Sequence, residues 1–285
     1  MEKESDNQPS VAVQTLSAPT FLQHRGRLSH FIEAWKDIGA DKWTLDILTH
    51  GYYPKFKGPK PKLTCNPWKY EICHRRDHPI ILHVAEMLEK GAIERVQNPQ
   101  SPGLYCHLFT RPKKSGGTRP IINLRPLNKC LEIPSFKMQT TAGLVRDVRP
   151  GDWAASIDLK DAYFHVPIHP SFRKYLRFVV EGKIYQFRAL PFGLSTAPRI
   201  FTKLVRPLAE FLHSQGIIFH HYLDDWLIRG ESPQEVQRNL SLLIYWCERL
   251  GFVINYPKSE LEPSQRFIFI GIDFDTSLGC VYPPP

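Results

Sequence analysis

The sequence predicts an α+β fold built around a mostly antiparallel sheet, and three observations carry that prediction. Strand-like and helix-like segments alternate irregularly, without the regular βαβ spacing of a parallel sheet. Apolar runs come in pairs joined by short turn-forming segments, at 104–123, 175–187 and 217–230, and connections that short join antiparallel neighbours. Helical periodicity is confined to segments beginning near Leu28, Pro79, Ala197 and Pro233.

Residues 1–20 are rich in Ser, Gln, Pro and Thr and read as a disordered tail. Residues 21–89 form an N-terminal region of helix and basic strap. Leu28, Phe31, Ile32, Trp35 and Ile38 fall at helical spacing, so one short amphipathic helix is expected there. From Gly51 to Arg76 the chain turns basic, through Lys55, Lys57, Lys60, Lys62, Lys69, Arg75 and Arg76. Pro54, Pro59, Pro61 and Pro67 break any helix, so this is an extended strap, either a solvated linker or a nucleic-acid contact. Ile80, Ile81, Val84, Met87 and Leu88 then mark one face of a helix that Gly91 stops.

Leu104 to Asn123 reads as a hairpin whose basic tip carries Lys113, Lys114 and Arg119. WAASIDL (153–159) is a buried strand with Asp158 near its end, and 175–187 is two strands turned at Glu181-Gly182. Helix 197–213 tolerates Pro198 in its first turn and buries Phe201, Leu204, Val205, Leu208 and Leu212. Two apolar strands over 217–230 are joined by Asp224 and Asp225. The capping box Ser232-x-x-Glu235 opens a helix that closes at Gly251, and FIFIGIDFD (267–275) reads as one final strand.

A length of 285 residues allows one large or two modest domains, and 42% hydrophobic with 23% charged residues is a globular mixture. The net charge of +9 points to a polyanionic partner, most often nucleic acid. No apolar run approaches the ~20 residues of a membrane span, and the polar start MEKESDNQPS lacks a signal peptide. Six scattered cysteines read as reduced thiols, so an intracellular protein, cytoplasmic or nuclear, is expected. Cys65-x7-Cys73-His74-x3-His78 has zinc-type residues, but its first spacing is too long for a usual knuckle. His220 and His221 alternate along a strand, one expected to pack and one to face solvent.

The sharpest chemical feature is Asp224-Asp225 between FHHYL and WLIRG. A hairpin tip favours Asn-Gly or Asp-Gly, and adjacent carboxylates repel there. A divalent cation removes that repulsion, Asp158 is the natural third ligand, and carboxylates select Mg²⁺ or Mn²⁺ over zinc. An Asp-Asp pair alone more often caps a turn, so the context has to decide.

SIDLKDAYFHVPI, LPFGLSTAPRIFTKL, HYLDDWLI, GFVINYPKSEL and FIFIGIDF follow one another in the order of the palm motifs of reverse transcriptases, which they resemble. PKKSGGTRPIINLRPLN upstream resembles the fingers, and the match runs from about Lys90 to Asp275. The closest likeness is to retrotransposon enzymes of the DIRS and gypsy types, DIRS in particular. The resemblance implies a right-hand polymerase, with fingers over 90–150, a palm over 151–275, an antiparallel palm sheet and flanking helices.

The resemblance also implies roles. Asp158, Asp224 and Asp225 match the catalytic triad that binds two Mg²⁺ ions (Mn²⁺ is an alternative), with the Leu159 carbonyl as a further metal ligand. Tyr163 matches the steric gate that excludes a 2′-hydroxyl, so dNTPs are the expected substrates. The backbone amides of Asp161 and Ala162 lie where the family meets the triphosphate, and Lys113 and Arg119 match the fingers residues that grip it. Lys258 sits where a general acid faces the leaving pyrophosphate.

Phe192 and Gly193 would lie beside the nascent base pair. Retroviral relatives carry Gln where this chain has Phe192, which puts stacking in place of hydrogen bonding. Tyr222 and Leu223 accompany the aspartates at the primer–template, and Ile270-Gly271 resembles the primer grip, where Gly permits close approach to the strand. An RNA or DNA primer–template is the implied partner, held mainly through its phosphates.

Two other classes stay open. One is a catalytically weak nucleic-acid-binding remnant of a retroelement polyprotein whose full-length relatives also carry RNase H. The other is a nuclease using the same carboxylates, which would not need Tyr163 or the Lys113 and Arg119 grip. Residues 276–285, ending in Tyr282-Pro283-Pro284-Pro285, read as a truncated tail without a complete thumb. No second acidic cluster follows Asp275, so no RNase H activity is expected.

Overall fold

The computed structural model describes residues 26–70, 79–113 and 116–283. The expected disordered tail at 1–20, and Cys73, His74, Arg75, Arg76, His78 and Lys114, lie outside them.

The expected single helix over 28–38 is instead a 3-10 turn, Arg27–Phe31, running into α1, Ile32–Asp37. Gly39 at φ +76° ends it, and a second helix, α2 (Lys42–His50), follows behind an Asp41 cap that accepts the Thr44 N–H. Leu28, Trp35 and Leu48 are buried there. Over its described part, 51–70, the strap is extended as far as a 3-10 turn at Trp68–Tyr70, and it is not a free linker. Its backbone is stitched at three places: Tyr52 N–H to the Pro167 carbonyl (2.7 Å), Lys57 N–H to Cys130 (3.0 Å) and Thr64 N–H to Gly103 (2.9 Å). Lys55, Lys57, Lys60, Lys62 and Lys69 are exposed along it.

Helix α3 spans Pro79–Glu89 and ends at Gly91, φ +66°. Then come β1 (Ile93–Arg95), the hairpin β2 (Leu108–Pro112) and β3 (Thr118–Ile122), and short helices α4 (Arg125–Asn128) and α5 (Thr141–Asp147). Strand β4 (Trp153–Asp158) leads to the hairpin β5 (Arg177–Val180) and β6 (Lys183–Phe187), turned by Glu181 and Gly182 at φ +49° and +67°. Helix α6 (Ala197–Ser214) precedes β7 (Ile218–Tyr222) and β8 (Asp225–Gly230). Helix α7 (Pro233–Leu250) is capped by Ser232, which accepts the Glu235 N–H, and closes at Gly251 in the left-handed conformation. The chain ends with β9 (Glu260–Ser264), β10 (Arg266–Phe269), β11 (Ile272–Asp275) and β12 (Cys280–Tyr282).

The central sheet has the order β7-β8-β4-β9, with smaller sheets β1-β6-β5, β2-β3 and β10-β11-β12. Every registered pair of these strands is antiparallel, as the fold class required. Strands β4 and β8 are covered on both faces, and their residues alternate accordingly. Ala155, Ile157, Trp226 and Ile228 join the main core with Phe201, Leu204, Leu243 and Cys247 of α6 and α7. Ala154 and Leu227 face the other way, against Leu144, Phe267, Phe269 and Phe274.

Two expectations at the C-terminal end are corrected. The run 267–275 is a hairpin, because Ile270 and Gly271 both take positive φ (+50° and +70°) and fold Phe267 back onto Phe274 at 5.1 Å. Residues 280–282 are a strand of that sheet, paired with β11, so 276–285 is not simply a tail. Among the described residues, no helix is long and apolar enough to cross a membrane.

Candidate active site

Antiparallel register sets Asp158 at the end of β4 directly opposite Asp225 at the start of β8. Tyr222 pairs with Asp225 across the hairpin, so the turn is Leu223-Asp224 and not the two aspartates. Leu223 takes φ +54°, a conformation that costs a branched side chain about 1 kcal/mol or more. Local bonds hold it: the Trp226 indole donates to the Leu223 carbonyl (2.8 Å), and Leu159 N–H donates to the Asp224 carbonyl (2.8 Å). The three aspartates therefore sit together at one end of the central sheet.

Asn255 and Ser259 clasp Asp158 from the segment after α7. The Asn255 amide donates to the Asp158 carboxylate at 2.7 Å, its backbone N–H donates to the Asp158 carbonyl at 2.8 Å, and Asp158 N–H donates to Ser259 Oγ at 3.0 Å. Neither residue type marks itself in the sequence, so this clasp was not legible there. Burial, with a smaller push from the Asp158 charge, raises the Asp224 carboxyl above the usual range. The Asp225 carboxyl is pushed up to about 6, first by burial and then by Asp224 and Asp158, while Lys258 pulls both down.

A cavity of about 860 Å³ opens beside these carboxylates. It brings Asp158, Leu159 and Asp224 together with Asp161, Ala162, Tyr163 and Leu223 from the palm side. Lys113 and Arg119 enter from the β2–β3 hairpin, Phe192 from the loop before α6, and Lys258 from the segment after α7. Tyr163 is buried with its ring 4.9 Å from Phe192 and 5.9 Å from Phe201, and the Arg119 guanidinium stands 5.0 Å over Phe192. Burial, then the nearby Asp224 charge, raises the Tyr163 hydroxyl pKa, so the phenol stays neutral.

Asp225, Tyr222, Gly193, Ile270 and Gly271 do not line this cavity. Gly193, at φ +110°, lies where an added Cβ would overlap the Ile122 carbonyl oxygen, so its glycine serves loop packing against β3. Asn128 pins the same loop, donating to the Gly193 carbonyl (2.9 Å) and accepting the Ser195 N–H (3.0 Å). Ile270 and Tyr222 pack against one small core, which sets the Ile270-Gly271 turn near the β7 end. His220 and His221 are both half-buried, so neither simply faces solvent. His220 accepts from Arg229 Nε at 3.1 Å and lies 2.7 Å from Gln139 Nε2, and burial lowers both imidazoles to about 4.

Residues 111–274 match the family model described as reverse transcriptase (RNA-dependent DNA polymerase). The chain belongs to the reverse transcriptase family. Its relatives include the genome polyprotein of Petunia vein clearing virus, 27% identical over 73% of this chain and 10% of the relative. The Pro-Pol polyprotein of Simian foamy virus type 1 is 26% identical over 72% of this chain and 17% of the relative. The transposon Tf2-3 polyprotein of Schizosaccharomyces pombe is 24% identical over 57% and 12%. The crystal structure of Prototype Foamy Virus Protease-Reverse Transcriptase superimposes with a TM-score of 0.59 at 21% identity, over 80% of this chain and 28% of that one. That likeness establishes the fingers-and-palm type of fold. This reverse transcriptase family chain thus spans 10–17% of the polyproteins named here.

Proposed function

We propose that the chain is an RNA-directed DNA polymerase that adds dNTPs to the 3′-end of a primer, acting inside the cell on an RNA or DNA template. The observation that carries this reading is the pairing of Asp158 with Asp225, next to Asp224, beside a cavity that also holds Tyr163, Lys113 and Arg119. The fingers would be residues 90–150 and the palm 151–275. Phe at position 192, where retroviral relatives carry Gln, and the wording of the motifs support a retrotransposon origin, of the DIRS or gypsy type.

Asp158, Asp224 and Asp225, with the Leu159 carbonyl, are the groups that would hold divalent cations, and oxygen-only donors suit Mg²⁺ or Mn²⁺. The Asp224 and Asp225 carboxyls are raised by burial and then by neighbouring aspartate charge, from Asp158 in both cases and from Asp224 on Asp225, a penalty a cation relieves. Among the described residues, no three His, Cys, Asp or Glu side chains already converge as a ligand set. The Asn255 amide donates to the Asp158 carboxylate and so orients it beside its neighbours at the end of the sheet. When bound, the cations lower the pKa of the primer hydroxyl and offset the charge of the triphosphate.

The protein's own groups do the rest. Lys113 as a point charge and Arg119 as a fork would grip the phosphates, with the Asp161 and Ala162 amides beneath them. The Tyr163 ring would lie under the sugar and leave no room for a 2′-hydroxyl. Lys258, whose charge lowers both the Asp224 and the Asp225 carboxyl and which lines the same cavity, would give a proton to the leaving pyrophosphate. Gly193, Tyr222, Leu223, Ile270 and Gly271 would meet the primer–template around this centre.

The test is primer extension on an RNA template with dNTPs and Mg²⁺ or Mn²⁺, run beside Asp224→Asn. Extension by the parent and none by the variant is expected. Equal extension by both removes the two-metal assignment, and template binding without extension by the parent makes the chain a binding remnant.

A further inference from the structure

The cavity proposed for the triphosphate contains a carboxylate that its charge does not explain. Asp161 lines the cavity beside Lys113 and Arg119, where a negative side chain opposes a polyanion. It stands at φ +53°, ψ +42°, opening the 3-10 turn Ala162–His165 that carries Tyr163. Asp is among the few side chains that tolerate this left-handed backbone, but so does Asn, without the charge.

A counter-charge comes from the fingers side. Lys90 follows the last residue of α3 and is held by its N–H to the Glu86 carbonyl at 2.9 Å. Its Nζ lies 2.8 Å from Asp161 Oδ2, and only 26% and 24% of the two side chains are exposed. A pair this sheltered is screened less than a surface one. Lys90 also lines the cavity.

We propose that Lys90 is a positioning residue for the incoming triphosphate: it cancels the Asp161 carboxylate and ties α3 to the turn beneath the nucleotide. The proposal rests on the polymerase reading above. Without Lys90, Asp161 faces the phosphates with a charge of the same sign that the Lys90 ammonium no longer offsets. Without both charges, the repulsion is gone. A mere structural tie makes the opposite prediction, because removing the second partner then restores nothing.

The experiment measures the equilibrium affinity for the templated dNTP of the full chain on a dideoxy-terminated primer–template with Mg²⁺, where no bond can form. Lys90→Met keeps the aliphatic stem and is expected to weaken binding about tenfold, the scale of one charge acting across several ångströms of partly shielded cavity. Adding Asp161→Asn in the same chain should bring affinity back to within about twofold of the parent. Asp161→Asn alone should bind several-fold more tightly, since the Lys90 cation is then free to act on the phosphates. Lys90→Arg, which keeps the charge, should retain most of the affinity, so a misfolded Met variant cannot stand in for the effect. A double variant as weak as Lys90→Met, or a Met variant as tight as the parent, overturns the proposal. Failure of the polymerase reading shows differently, as a parent complex that takes up no dNTP, which removes this proposal with it.

Discussion

Asp225→Asn should stabilise the metal-free chain even as it abolishes extension, because the parent carries an ionised carboxyl that its surroundings disfavour. Burial and the charges of Asp224 and Asp158 push that carboxyl from its ordinary 3.8 up to about 6. A difference of roughly two units corresponds to about 3 kcal/mol against the charged form at neutral pH. Asp225 is nonetheless exposed, and water screens part of the penalty, leaving about 1–1.5 kcal/mol. Because the folded pKa is raised, the stability linked to this proton is full below pH 3.8 and is lost as pH rises through about 6. Asn does not ionise and escapes the loss.

Urea unfolding without divalent cations at about pH 7.5 should therefore place Asp225→Asn above the parent by about 1–1.5 kcal/mol. At about pH 4 the two curves should nearly coincide. Mg²⁺ at the higher pH should narrow the gap by stabilising the parent selectively. A variant less stable than the parent at about pH 7.5, or a gap unchanged at about pH 4, would refute the repulsion argument.

Other consequences are open to direct measurement. Tyr163→Ala should lower the preference for dNTPs over rNTPs by about 10–100-fold in single-nucleotide extension. Loss of its contacts with Phe192 and Phe201 should also cost about 2–4 kcal/mol in melting. Gly193→Ala sets a Cβ against the Ile122 carbonyl at an unfavourable φ of +110°, and should cost about 2–3 kcal/mol by chemical denaturation. His220 and His221 have folded pKa values lowered to about 4, so the stability they give is full above about 6.5 and is lost as pH falls toward 4. Replacing both with Gln should flatten that acid loss by about 2–3 kcal/mol in stability curves run across the same pH window.

Elements with a local cause were legible in the sequence. Ser232 and Gly251 bracket α7, and Glu181-Gly182 turns β5 into β6, because caps and two-residue turns are decided by a few neighbouring residues. Elements decided by distant interactions differ from their local sequence pattern. FIFIGIDFD looks like one strand because its apolar pattern continues past Ile270, a β-branched residue that local preference keeps out of positive φ. The stacking of Phe267 on Phe274 and the pairing of the two strands favour the turn. The Asp224-Asp225 tip was misplaced by one residue for the same reason, since nothing in Leu223 announces a left-handed conformation.

By itself the sequence determined the chemical inventory: three carboxylates next to strongly apolar strands, a basic hairpin, an aromatic after Asp158, and the order in which they occur. Only the tertiary structure decided which of them meet. Asp158 faces Asp225 because β4 and β8 each bury both faces, and a slip of one residue would turn Trp226 and Ile228 out of one core and Leu227 out of the other. Asn255 reaches Asp158, and Lys90 reaches Asp161, through that same fixed register and the helices packed around it. Such pairings belong to the sheet as a whole, and no single segment encodes them.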